Sequence, residues 1–257
     1  SDFLDYWIDN HCKINLKYHT IEAYSNIVKN HLKTNLVFYK LSQITKTTLQ
    51  EFLNKVYVEK GYSKNFLNNI RKVLKCSFNY ATDNEYVRVN PAANLKLPKY
   101  DVQPKDVAHI FTSEEINTIL ERFKNNHCIY YAFLSAYCTG LRIAEVFALT
   151  WDDIDLKNRT ISINHNVYCK DNDVNGRWYF GTPKTINGIR TVHINSILLK
   201  VLTNYKNKQN CNKRKYGSIY KLYHVEDIKN DYGKVLERKI VETKNNRLPN
   251  KDLRLVF

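Results

Sequence analysis

The stretch that most constrains this chain is Tyr137-Cys138-Thr139-Gly140-Leu141-Arg142-Ile143-Ala144-Glu145-Val146-Phe147-Ala148-Leu149-Thr150-Trp151-Asp152-Asp153-Ile154. An apolar helical run from Ile129 to Tyr137 leads into it. Gly140 is the residue suited to the left-handed conformation that ends a helix. A second short helix is expected from Leu141, with Ile143, Val146 and Phe147 spaced three to four apart toward a core. That puts Arg142 in a first helical turn, where unpaired backbone N–H groups and the positive end of the helix dipole favour an anion. An arginine so placed is suited to phosphate. In isolation it reads more readily as a cation on a solvated face, so the rest of the chain must separate the two.

Charge supplies the first discrimination. The 257 residues carry 40 Lys plus Arg against 25 Asp plus Glu, a net +15. Residues 1–100 contribute +7 and residues 101–257 contribute +8, so the excess is no tail. It points to a polyanion, nucleic acid before an acidic membrane surface. Hydrophobic residues make up 43% of the chain, enough for packed cores and against disorder. No apolar run approaches the ~20 residues of a membrane span, and no signal peptide is visible, so a cytoplasmic protein without membrane contact is expected. The six cysteines form no C-x-x-C pair and no zinc spacing with histidine, and they read as reduced thiols. No metal and no cofactor is expected.

Periodicity divides the chain. Residues 1–97 read as a small all-helical domain. Thr45 and Ser63 stand as N-caps before helices whose apolar stripes are Leu49, Phe52, Leu53, Val56 and then Leu67, Ile70, Val73, Leu74, Phe78, Ala81. A linker is expected at Lys13 to His19. On the second capped helix Lys64, Asn68, Arg71 and Lys75 share the face opposite the stripe, either as a solvated face or as a surface for a DNA groove. Residues 98–108, with Pro98 and Pro104, read as an extended linker. Residues 109–257 open on a Thr112/Glu115 capping box and continue helical to Leu149. Alternation over Thr160–Val167, Arg177–Phe180 and Arg190–Ile194 then predicts a small antiparallel sheet, with a turn at 171–176. Helix returns at Ser196–Tyr205, and Ile228 to Val241 is read as one helix broken near Gly233. The fold class expected is mainly α, with an α+β second domain.

Thr139 to Arg142, Glu145, and Leu149 to Ile154 together resemble the first signature of the tyrosine recombinases, the phage and conjugative-transposon integrases. Pro183-Lys184-Thr185 ahead of Arg190-Thr191 is similar to that family's hairpin lysine, and Lys251-Asp252-Leu253-Arg254 to the lysine form of its second arginine box. Two positions depart: Gly188 where serine is frequent, and Leu255 where histidine usually follows the arginine. The resemblance implies a helical core-binding domain followed by a catalytic domain. It also implies double-stranded DNA as partner and a homotetramer on DNA for the intact protein, with this chain monomeric when free.

The chemistry so implied breaks a phosphodiester through tyrosine. Arginine forks grip phosphate bidentately at any working pH, which fits Arg142 and Arg254 as a clamp. Lys184 suits protonation of the leaving 5′ oxygen, and Lys251 proton transfer or phosphate binding. Glu145 would position the arginines. The family's nucleophile follows the second arginine box, whereas the last tyrosine here, Tyr232, precedes Arg254. Truncation, frameshift or decay would each give this pattern, and with no methionine in the chain the natural start is expected to be missing or trimmed. The alternative from another class is a non-catalytic DNA-binding relic or regulator that occupies recombination sites. The 257-residue polypeptide is accordingly expected to bind DNA without cutting it. Incubation with nicked duplex, followed by denaturation, should leave no protein on a 3′ end; a covalent adduct would reveal another attacking side chain.

Overall fold

The computed structural model describes residues 2–99, 109–170, 177–230, 232–243 and 253–257. Residues 100–108 of the expected linker, the turn at 171–176, and Lys251 lie outside them. The chain divides into two compact units, Ser1–Val107 and Ala108–Phe257.

The first unit is helical. Helix α1 runs over 2–15 and α2 over 18–36, each passing through a five-residue π turn, Ile8–Cys12 and Val28–Leu32. A π turn frees a carbonyl from the usual ladder. In both helices an asparagine four residues on reaches a carbonyl inside the turn, Asn15 to His11 at 2.9 Å and Asn35 to His31 at 2.8 Å. The linker expected at Lys13 to His19 shrinks to a break at Leu16-Lys17, because Lys17 itself precedes the first turn of α2. Helices α3 (Lys46–Lys60) and α4 (Lys64–Asp83) start at Thr45 and Ser63, whose hydroxyls accept from Thr48 N and Phe66 N. Gly61 ends α3 in the left-handed region at φ 59°. The stripes read from the sequence are the core, with Leu49, Leu53, Leu67, Ile70 and Val73 fully buried.

The second unit begins with α5 (Ser113–Phe123), its Thr112/Glu115 capping box formed in both directions, and α6 (His127–Thr139). Gly140 ends α6 at φ 65°. Helix α7 (Ile143–Val146) is a single turn that buries Val146, while Ile143 stays exposed. The strands build two antiparallel sheets. One is ordered β1 (Ile154–Asp155), β2 (Thr160–Ile163), β5 (Arg190–His193). The other is ordered β3 (Asn166–Lys170), β4 (Arg177–Gly181), β7 (Val235–Glu242), β6 (Tyr223–Lys229). The alternation read as one strand over 160–167 is thus cut at Asn164-His165, where the chain changes sheets.

Helix α8 (Ser196–Tyr216) packs Leu198, Leu202 and Tyr205 on the first sheet and on α6. It runs well past the expected end at Tyr205. The helix read over Ile228 to Val241 is instead the β6–β7 hairpin. Its turn explains the difference: Asn230 Oδ1 accepts from Tyr232 N and Lys234 N, and Gly233 sits at φ 77°. An Asx turn with a left-handed glycine competes directly with helix. Residues 253–257 return to the second unit, where Val256 N donates to Leu149 O and Trp151 N to Arg254 O, both at 2.9 Å. Val256 is completely buried.

His165 fastens the sheet switch to the motif turn. Its Nε2 donates to Ala148 O at 2.8 Å and lies 3.4 Å from Asp153 Oδ2. Asp153 also accepts from Thr150 N and Thr150 Oγ1. Burial pushes His165 toward the neutral form, but the Asp153 carboxylate and the Ala148 carbonyl outweigh it and raise its pKa above 6.5. A folded value above the unfolded one adds stability that is full below about pH 6.5 and disappears as pH rises through the folded value. The melting temperature should therefore fall by a few degrees between pH 6 and 8, and the fall should shrink in His165→Gln. Calorimetry across that window checks it.

Candidate active site

Glu145 is the centre of the site. It is the third residue of α7, its side chain is 7% exposed, and both carboxylate oxygens are used. Arg142 binds it twice, through its backbone N at 3.0 Å and Nη1 at 3.0 Å. Arg190, at the start of β5, donates Nη1 at 3.1 Å and Nη2 at 2.7 Å. A buried carboxylate needs such partners, since an unpaired charge in the interior is costly. The Arg190 fork is the largest influence on Glu145; burial works against it, Arg142 reinforces it, and the carboxyl is held down at about 2. Glu145 stays ionised across the working range.

Arg142 sits at the N-cap of α7 rather than inside its first turn, and its side chain is 76% exposed. One turn of helix has little dipole, so its suitability for an anion rests on the guanidinium. Anchored at one Nη and open elsewhere, that fork is held in place while its remaining donors face outward.

Lys184 lies in the 182–189 segment and is exposed. Because β4 pairs with β3 and β7 while β5 pairs with β2, this segment crosses between sheets and does not close a hairpin. The crossover is tight: a Cβ on Gly188 would stand 2.7 Å from Pro183 Cβ. Glycine at this departure from the family pattern therefore lets the chain fold back on Pro183. Arg190 Nη1 also reaches Gly188 O at 3.2 Å, tying the end of the lysine-bearing segment to the Glu145 cluster.

Arg254 is placed differently. Its guanidinium bonds Asp152, with 49% of the side chain exposed, and its carbonyl accepts from Trp151 N. The structure thus joins Arg142, Glu145 and Arg190, and separately joins Arg254 to the 149–152 turn. In the first unit Lys64 and Lys75 are exposed, while Asn68 and Arg71 are half-buried. Arg71 donates to Leu95 O at 3.3 Å and to Asn68 Oδ1 at 2.8 Å, so this face of α4 carries the segment leaving the domain.

The residue that sequence reasoning passed over is Arg190. It was read only as part of a motif; its signal was an arginine opening a strand just beyond the candidate lysine.

Comparison with known proteins matches residues 109–247, more than half of the chain, to the phage integrase family, and residues 1–57 to the phage integrase N-terminal SAM-like domain. The chain belongs to the phage integrase family. It is 30% identical over 243 residues to a XerC-like tyrosine recombinase of Caldanaerobacter subterraneus subsp. tengcongensis, covering 90% of this chain and 60% of that protein. To the ICEBs1 integrase of Bacillus subtilis it is 30% identical, over 77% of this chain and 52% of that one. The chain thus spans between about half and two thirds of these relatives. The integrase of transposon Tn1549, solved with transposon right end DNA, shares the fold at TM-score 0.64 and 23% identity, over 81% of this chain and 64% of that one. Membership of the tyrosine recombinases, read above from Thr139 to Ile154, holds. Among the described residues no helix is long and apolar enough to cross a membrane.

Arg190→Gln should destabilise the second unit by about 3 kcal/mol, the low end for breaking a buried pair, because it strips Glu145 of its main partner while Arg142 still holds it. Adding Glu145→Gln to that variant should recover part of the loss. Urea unfolding of the three proteins checks both; equal stabilities of single and double variants would contradict the pairing.

Proposed function

We propose that this chain is the core of a site-specific DNA recombinase, which in the intact protein breaks and rejoins strands through a 3′-phosphotyrosyl intermediate. In this reading residues 1–97 grip the duplex as the core-binding domain, and residues 109–257 carry the phosphate-binding site. The observation that carries it is Arg142: its backbone and one guanidinium nitrogen are fixed on buried Glu145, and 76% of its side chain is open. Such a cation enters a complex without the entropy cost of ordering a free arginine.

Arg142 and Arg254 hold the non-bridging oxygens and stabilise charge that builds in the transition state. Arg254 exchanges Asp152 for phosphate when DNA arrives. Lys184 protonates the leaving 5′ oxygen from an exposed crossover tied to the Arg142 cluster through Arg190. Lys251 assists proton transfer. Glu145 and Arg190 act through Arg142, as positioning residues. The polypeptide binds double-stranded DNA, and the two basic halves engage it together.

Binding of attachment-site duplex, measured by anisotropy over a salt series, tests the reading. Affinity should fall steeply with salt as counterions are released. Arg142→Ala should bind roughly tenfold more weakly, from the loss of a charged hydrogen-bonding group. Salt-insensitive binding, or full affinity in Arg142→Ala, would sink the assignment.

A further inference from the structure

One cationic surface lies outside the site. From Val174 to Val225 the sequence contains ten Lys or Arg and no Asp or Glu. Half of those cations, Lys206, Lys208, Lys213, Arg214 and Lys215, fall in the second half of α8. The last fully buried residue of that helix is Tyr205; over 206–216 Lys206, Gln209 and Asn212 are half-buried and the rest are exposed. The helix nevertheless continues for three more turns. Basic residues in a last turn complement the helix dipole, which accounts for 213–215 in part but not for Lys206 and Lys208 upstream. Contacts hold the start of the extension, where Lys206 lies over Trp151 and Lys208 Nζ stands 2.6 Å from His127 Nε2, whereas like-charge repulsion among Lys213, Arg214 and Lys215 disfavours its end. A polyanion relieves that repulsion.

The geometry also says where this surface begins. Lys206 Nζ lies 5.1 Å above the Trp151 ring, and Gln209 bonds both Trp151 Nε1 at 2.7 Å and Val256 O at 2.9 Å. Trp151 N in turn holds Arg254 O. The extension thus starts beside the segment that carries Arg254 and leads away from it for about 15 Å at the helical rise of ~1.5 Å per residue. That is roughly two phosphate spacings along a strand. Asn207 and Asn210 are exposed among the cations, and side-chain amides also donate to phosphate oxygens.

We propose that the second half of α8, residues 206–216, is a DNA-backbone contact distinct from the phosphate clamp, holding duplex beyond the phosphates at Arg254. This rests on the recombinase reading, which supplies duplex DNA as the polyanion. The contact is to the phosphate backbone, so it holds mixed-sequence duplex by charge and not by base readout.

The test uses the 257-residue chain and two mixed-sequence duplexes, one of 20 and one of 40 base pairs, as probes. In the triple variant Lys213→Gln, Arg214→Gln, Lys215→Gln, the slope of log affinity against log salt on the longer duplex should drop by about two, at ~0.9 per lost phosphate contact. Affinity at moderate salt should fall about tenfold or more, with a smaller loss on the shorter duplex. A charge-retaining triple, Lys213→Arg, Arg214→Lys, Lys215→Arg, should bind like wild type, and circular dichroism should match for all three. An unchanged slope in the glutamine variant overturns the proposal, as does an equal loss in the charge-retaining one. Loss of binding to poly-L-glutamate with DNA binding intact overturns it in favour of an acidic protein. A wild type that ignores both duplexes overturns the recombinase reading along with it, whereas wild-type binding with an unchanged variant slope overturns this surface alone.

Discussion

The second unit depends on one buried carboxylate shared by two arginines from distant parts of the chain. Glu145 satisfies the N-cap amide of its own helix, one guanidinium nitrogen of Arg142, and the fork of Arg190. Without the arginines it would be an uncompensated interior charge; without it two cations would crowd at the end of α7. Each group makes the other tolerable. The strand entering from the crossover is thereby locked to the turn that follows α6, so the local geometry of two separate motifs is set by a single side chain.

A second device works on the same principle nearby. Asp153 closes its turn through Thr150 and receives His165 from the sheet switch. Both carboxylates belong to the stretch between Gly140 and Ile154. Its high information content thus has a physical reason: its three carboxylates, Glu145, Asp152 and Asp153, each fasten a different part of the unit, at Arg190, Arg254 and His165.

Much of this was legible in the sequence, because it depends on local chemistry. Caps at Thr45, Ser63 and Thr112, left-handed glycines at 61 and 140, and the apolar stripes of α3 and α4 all follow from nearest-neighbour rules, and the structure carries them. Partners distant in sequence were not legible. Arg190 lies 45 residues from Glu145, and no pattern in either segment announces the pair. The β6–β7 hairpin was missed for another reason: Ile228 to Val241 satisfies a helical spacing loosely, and the Asn230–Gly233 turn that decides the matter was read as a break inside a helix. The two-sheet arrangement was hidden by a strand alternation that continues across Asn164-His165 although the chain leaves one sheet for the other.

The pairing of 253–257 with 149–151 makes Arg254 sensitive to length more than to composition. Its position is dictated by main-chain bonds at Trp151 and Leu149 and by the seating of Val256 in the core. Side chains at Leu253 and Leu255, which are only half-buried, can therefore vary while the backbone keeps its place. Adding or deleting one residue would bring Leu255 or Phe257 to the seat of Val256 and carry the guanidinium away from Asp152. Substitutions at positions 253 and 255 should be frequent among working relatives, and insertions or deletions between Leu253 and Val256 should be rare.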